Sequence, residues 1–261
     1  MNLDLKDKTA VVCGSTQGIG FATAKQLAQM GARIVLVSRN EDSLQKAKQE
    51  LDRIAPIGHD YLVADFQHPD SLEKALKKFS AHNMAHILVN NTGGPPPGKA
   101  IEAEVEAFRI AFNQHLVCNH ILAKYLTPGM KASGYGRIVN VISTSVKQPL
   151  NNLGVSNTVR GAVANWSKTL ANELGPDGIT VNNVLPGATN TARLTGIFER
   201  KAAATGQSME EVKKGMESVI PLRRVAEPEE VANAICFLCS PAAAYISGIN
   251  VPVDGGRTGC L

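Results

Sequence analysis

Short β-branched runs alternate with longer stretches of helical period along the whole sequence, and this pattern most limits what the chain can fold into. Thr9 to Cys13, Ile34 to Ser38, Tyr61 to Ala64, Ile87 to Asn90, Ile138 to Ile142, Thr180 to Leu185 and Asn250 to Val253 read as strands. Between them, Gly18 to Met30, Ser43 to Ile54, Ser71 to Ser80, Ala103 to Leu126, Ser156 to Leu174 and Pro228 to Leu238 read as helices. Strands apolar on both faces need cover on both, and crossover helices supply it. The expected fold is α/β, one doubly wound parallel sheet of about seven strands with helices on both faces. No Gly/Ser or Pro linker divides residues 1–261, so a single domain is expected. Thr191 to Ile220 departs from the alternation, with a helical period of its own in Phe198, Met209, Val212 and Met216. An insertion there, past a strand's carboxyl end, is expected to cover a ligand crevice.

Composition narrows the function classes. Hydrophobic residues at 44% and charged residues at 19% exclude a disordered chain and a coiled coil. Twenty-seven Lys and Arg against 23 Asp and Glu give only +4, scattered, which argues against a nucleic-acid partner. The apolar runs Ile34 to Val37 and Ile87 to Val89 fall far short of the roughly 20 residues of a membrane span. The first eight residues lack the apolar stretch of a signal peptide, and five cysteines without framework spacing suit a reducing compartment; a cytoplasmic location is expected. Cys236 and Cys239 resemble half a zinc site. They sit in an apolar helical stretch with no second pair, so they are expected in the core and no metal is expected.

The first strand runs straight into Cys13-Gly-Ser-Thr-Gln-Gly-Ile-Gly20, where a helix begins. Gly14, Gly18 and Gly20 permit a tight turn and close backbone approach to a phosphate, with Ser15, Gln17 and Ile19 completing the loop. The helix start adds free N–H groups and the positive dipole end. A dinucleotide fold reads the ribose at the end of its second strand. An acid there would accept from the 2′-hydroxyl of NAD(H), but here Ser38 is followed by Arg39, whose guanidinium suits a 2′-phosphate. NADP(H) is the expected cofactor in preference to NAD(H).

With these features the chain resembles the short-chain dehydrogenase/reductase family, in particular members similar to 3-oxoacyl-carrier-protein reductases. Further matches are Asp65 with Phe66 after the third strand, Asn90-Asn-Thr-Gly93, Pro186-Gly187 with Thr191, and the closing Pro221-Leu-Arg-Arg, Glu227-Pro-Glu-Glu, Tyr245-Ile-Ser-Gly and Asp254-Gly-Gly256. The resemblance implies a Rossmann-type sheet and a homotetramer. It also implies an adenine contact at Asp65 and Phe66, cofactor contacts at Asn91 and Gly93, and a nicotinamide contact at Pro186, Gly187 and Thr191. The implied substrate is a small carbonyl or alcohol, with an acyl group on a carrier as one candidate.

The catalytic pattern of that family is altered. Its members place a Ser after strand five and a Tyr-x-x-x-Lys thirteen residues on, with an Asn on the preceding helix. Ser143 matches the first position, but Ser156 and Arg160 stand where Tyr and Lys are expected, and His115 stands at the Asn position. Tyr61, Tyr125, Tyr135 and Tyr245 are followed four residues later by Asp65, Gly129, Val139 and Ile249, so none restores the motif. A phenol titrates near about 10 and yields a proton far more readily than a serine hydroxyl, while Arg stays charged at working pH. Three proton sources remain open: His115, Lys147 on the loop after strand five, and water polarised by Ser143 and Ser156. A lone His on a largely apolar helix, such as His115, is more often a structural residue than a catalytic one. Arg193, early in the insertion, reads either as a recognition site for a carboxylate or phosphopantetheine or as a surface residue.

Two function classes follow. One is an NADP(H)-dependent oxidoreductase interconverting a carbonyl and an alcohol through an atypical proton-donating site made of Ser143, Ser156, Arg160 and His115. The other is an NADP(H)-binding protein without catalysis, a sensor or an inactive partner subunit.

Overall fold

The computed structural model describes residues 1–260. Within them the strands are β1 (Thr9–Cys13), β2 (Arg33–Ser38), β3 (Asp60–Val63), β4 (Ile87–Asn90), β5 (Gly136–Val141), β6 (Ile179–Pro186) and β7 (Asn250–Val253). They form one seven-stranded sheet in the order β3-β2-β1-β4-β5-β6-β7, every pairing parallel. The helices are α1 (Gly18–Gln29), α2 (Glu41–Ile54), α3 (Pro69–Ser80), α4 (Val105–Phe112), α5 (Cys118–Ser133), α6 (Gly154–Leu174), α7 (Ala192–Thr205), α8 (Met209–Glu217) and α9 (Pro228–Cys239). This is the expected Rossmann-type architecture.

The two-residue period of the strands divides the core. Ala10, Val12, Ile34 and Leu36 face one side and pack on Leu27 of α1, Leu44 and Leu51 of α2, and Val231 and Ile235 of α9. Val11, Cys13, Val35 and Val37 face the other and meet Leu72 and Leu76 of α3 and Leu122 and Leu126 of α5. Cys236 and Cys239 lie in the first of these clusters, and burial raises both thiols well above their usual range.

One polar seam crosses this apolar interior. Asn90, Asn140, Asn183 and Asn250 are register partners on β4, β5, β6 and β7. Asn90 Nδ2 donates to Asn140 Oδ1 at 2.8 Å, Asn140 Nδ2 to Asn183 Oδ1 at 3.0 Å, and Asn183 Nδ2 to Asn250 Oδ1 at 2.8 Å. Asn90, Asn140 and Asn183 are buried and Asn250 is exposed; the three buried amides penalise a slip of strand register, because a one-residue shift would leave them unpaired.

Two departures from the expected elements bear on function. The predicted helix Ala103 to Leu126 is interrupted by a π-turn at Asn113–Val117 between α4 and α5. Beyond it α5 continues through Pro128 to Ser133, where Gly134 at φ 63° caps it. The insertion folds as the helix pair α7 and α8, sharing a small cluster of Leu194, Phe198 and Val212.

Candidate active site

Strand order reverses between β1 and β4, and in open α/β sheets ligands bind where the loops diverge at such a point. On the β1 side the glycine loop turns back through Gly14 at φ +57° and Gly18 at φ +55°. A Cβ on Gly20 would strike the Gly14 carbonyl and come within 2.7 Å of Asn91 Nδ2, so only glycine lets α1 begin this close to the loop. At the start of α1, exposed Gln17 makes no side-chain cap and the first turn carries no acid, leaving the N–H groups and dipole to an outside anion. Ile19 is half-buried, and its carbonyl accepts from Thr23 Oγ1 at 2.8 Å.

Two residues expected at the cofactor also hold the loop. Ser15 is fully buried; its Oγ accepts from Val37 N at 3.0 Å, which pins the loop to β2. Asn91 Nδ2 donates to the carbonyls of Cys13 and Gly14, each at 3.3 Å, and ties the turn after β4 to the same loop. At the end of β2, Arg39 is exposed and makes no salt bridge among the described residues. Asp65 and Phe66 are half-buried after β3, where Asp65 Oδ1 accepts from Gln67 N at 3.0 Å. Gly93 is exposed on the turn after β4. Pro186 ends β6, and Gly187 packs so closely on Asp254 that an added Cβ would lie 2.7 Å from its Cα. Thr191 caps α7, its Oγ1 accepting from Leu194 N at 3.4 Å, and its methyl lies 3.1 Å from where a Gly18 Cβ would be.

The turn after β4 also organises the other half of the crevice. Thr92 Oγ1 lies 3.2 Å from His115 Nδ1, and the Thr92 carbonyl accepts from Arg160 Nη2 at 3.4 Å. Arg160 Nη1 donates to the carbonyl of Val141, the last residue of β5, at 3.0 Å. Ser143, two residues beyond, is half-buried and N-caps the short turn Thr144–Val146, its Oγ accepting from Ser145 N at 3.1 Å. That turn packs against α6, which carries half-buried Ser156 and, one helical turn later on the same face, buried Arg160.

Electrostatics alters the expectation for His115. The π-turn carries its ring inside, only 1% exposed, with Nε2 unpartnered among the described residues. Burial, then the positive charges of Arg160 and Arg193, hold its pKa down at about 2. The imidazole is therefore held in its neutral, hydrogen-bonding form near pH 7. Burial, then Arg193, lowers Arg160 to about 10, so it remains cationic. The tyrosine hydroxyls lie elsewhere: Tyr61 donates to Glu41, Tyr125 to Glu73 and Tyr135 to the Cys239 carbonyl, while Tyr245 is fully exposed.

Residues 14–258 match the enoyl-(acyl carrier protein) reductase family. The chain belongs to the short-chain dehydrogenase/reductase family. Its relatives include a tropinone reductase homologue of Arabidopsis thaliana, 32% identical over 97% of this chain and 92% of its own. The NADPH-dependent reductase BacG of Bacillus subtilis is 30% identical, with 97% and 98% covered. Among solved structures, L-sorbose reductase from Gluconobacter frateurii, complexed with NADPH and L-sorbose, superimposes with a TM-score of 0.95 at 33% identity and full coverage of both chains. No helix among the described residues is long and apolar enough to cross a membrane.

Proposed function

We propose that this short-chain dehydrogenase/reductase binds NADP(H) and interconverts a carbonyl and an alcohol without a tyrosine acid. One observation carries the reading: adjacent residues on the turn after β4 fix both halves of the crevice, Asn91 holding the glycine loop and Thr92 holding Arg160 and His115. The fit to a dinucleotide is physical, since the cradle at Gly14 and Gly20 has no room for a side chain. The relatives and structural neighbours named as NADPH-dependent or NADPH-bound support the same cofactor.

In this reading the glycine-loop backbone holds the diphosphate and Arg39 the 2′-phosphate. Asp65 and Phe66 border the adenine, Gly93 lines the crevice, and Pro186, Gly187 and Thr191 border the nicotinamide. Bound NADPH supplies a hydride to the carbonyl carbon, and the oxygen takes a proton to complete the alcohol. Ser143 and Ser156 hydrogen-bond that oxygen, as an oxyanion site requires. Arg160, standing with Ser156 in place of the family's Lys and Tyr, fixes the ribose side and stabilises negative charge. Water held by the two serine hydroxyls relays a proton to that oxygen from bulk solvent, which replaces it, because neither serine nor arginine yields one readily and His115 is neutral. The helix pair α7–α8 covers the crevice within the single domain 1–261.

The test is NADPH consumption against a broad carbonyl panel, with wild type and Ser156→Tyr/Arg160→Lys side by side. Turnover by the wild type is the expected result. Turnover by the double variant alone would sink the catalytic reading and leave an NADP(H)-binding sensor or partner subunit.

A further inference from the structure

Two arginines approach the turn after β4 from opposite elements. Arg160 of α6 donates to the Thr92 carbonyl at 3.4 Å, and Arg193 of α7 donates through Nη1 to the Gly94 carbonyl at 3.0 Å. Residues two apart span at most about 7 Å of backbone, so the two guanidiniums anchor close together. Among the described residues their partners are backbone carbonyls and never a carboxylate. Gly94 makes room for this: a Cβ there would lie 2.8 Å from Arg193 Nη2 and 3.2 Å from Nη1. The only titratable side chain linked to the pair through Thr92 is His115, which is neutral, so it supplies no countercharge. Arg160 is buried and Arg193 exposed; burial, then the charge of Arg193, lowers the pKa of Arg160, and partial desolvation, then the charge of Arg200, lowers that of Arg193. A buried charge such as that of Arg160 is costly unless an anion approaches it, and the exposed Arg193 beside it is open to an incoming ligand.

The cofactor's diphosphate is the competing source of that charge. The geometry separates the two: Thr191, not Arg193, faces the glycine loop at Gly18, whereas Arg193 sits on Gly94, beyond the Thr92 that holds His115 and Arg160. Nε and Nη2 of Arg193 have no partner among the described residues, leaving one edge of its fork for a planar anion.

We propose that the substrate is an oxo acid, whose carboxylate is received by the Arg193 fork in front of Arg160. This rests on the reductase reading and narrows it from carbonyl compounds to those carrying a carboxylate within a few carbons of the carbonyl.

The experiment offers 2-oxohexanoate, acetoacetate and levulinate beside their methyl esters. It follows NADPH consumption, and measures calorimetric binding of the acids to the NADP⁺-loaded protein, where nothing is reduced. The variants are Arg193→Gln, Arg193→Lys and, as a control for net charge, Arg53→Gln at the exposed end of α2. The expected result is at least one acid favoured over its ester tenfold or more in kcat/KM, with its KM raised at least tenfold by Arg193→Gln. Arg193→Lys, which keeps charge but not the fork, recovers only part, and Arg53→Gln keeps the acid preference. Esters turned over as well as acids would overturn the oxo-acid assignment and leave the reductase reading intact. Acids that bind in an Arg193-dependent way without turnover would support the anion subsite while removing the reductase reading. An Arg193→Gln variant that weakens NADPH binding but keeps the acid preference would assign Arg193 to the cofactor and overturn the proposal. Absence of both turnover and binding would overturn both readings.

Discussion

His115 and Thr92 meet at the centre of the crevice, with the imidazole Nδ1 3.2 Å from the threonine Oγ1. The ring reaches that hydroxyl because the helix widens to a π-turn at Asn113–Val117. The same burial that makes the contact removes the ring's charge, and a pH prediction follows.

In the unfolded chain His115 protonates near 6.5, while in the fold its pKa lies at about 2. Between those values the unfolded state binds the extra proton, so stability falls as pH falls and is unaffected by this group above about 6.5. The slope is at most about 1.4 kcal/mol per pH unit for the one group. His59 and His86 are lowered by burial and act in the same direction, so His115→Gln must be compared with wild type. Urea melts at pH 5 and 8 should show a smaller difference for the variant. Equal differences would show that the ring is charged in the native protein.

Replacing Asn140 by Ala should cost about 2–4 kcal/mol, since two or more buried amide groups lose their partners. Its Nδ2 donates to Ser167 Oγ at 3.2 Å as well as to Asn183, and its Oδ1 accepts from Asn90. Chemical denaturation measures the loss, and a cost below about 1 kcal/mol would mean the seam contributes little to the fold.

Gly20→Ala should leave a folded protein that holds NADPH at least about tenfold more weakly. The added methyl must push apart the Gly14 carbonyl and the Asn91 amide, the contacts that shape the loop. Fluorescence titration of NADPH against the variant gives the affinity. Unchanged binding would remove this loop from the cofactor site.

Arg39→Ala should weaken NADPH by about tenfold to a hundredfold and leave NADH nearly unchanged, because a single charge-assisted contact to the 2′-phosphate is lost. Arg39 is exposed and outside any salt bridge among the described residues, so the change carries no structural cost. A parallel loss for both nucleotides would place the 2′-phosphate elsewhere.

The sheet was legible because strands buried on both faces must be apolar throughout. Ile34–Val37 and Ile87–Val89 announce this without any tertiary knowledge. Of the site, the glycine loop was legible as a local conformational demand: Gly14 and Gly18 take positive φ, as a turn of that spacing requires. That Ser15 and Asn91 anchor the loop was not, because their side chains bond to backbone 22 and 77 residues away. Arg193 drew attention in the sequence, but its pairing with Arg160 across the Thr92–Gly94 turn could not, since α6 and α7 meet that turn only through the fold.

By itself the sequence determined the α/β alternation, the phosphate-binding turn and the identities of Ser143, Ser156 and Arg160, all of them matters of period, local backbone preference and residue type. Only the tertiary structure decided what His115 is. Its period places it on an ordinary helix, but the π-turn directs it inward and two distant arginines face it. Protonation state depends on burial and on charges brought together across the chain, and no local pattern encodes either.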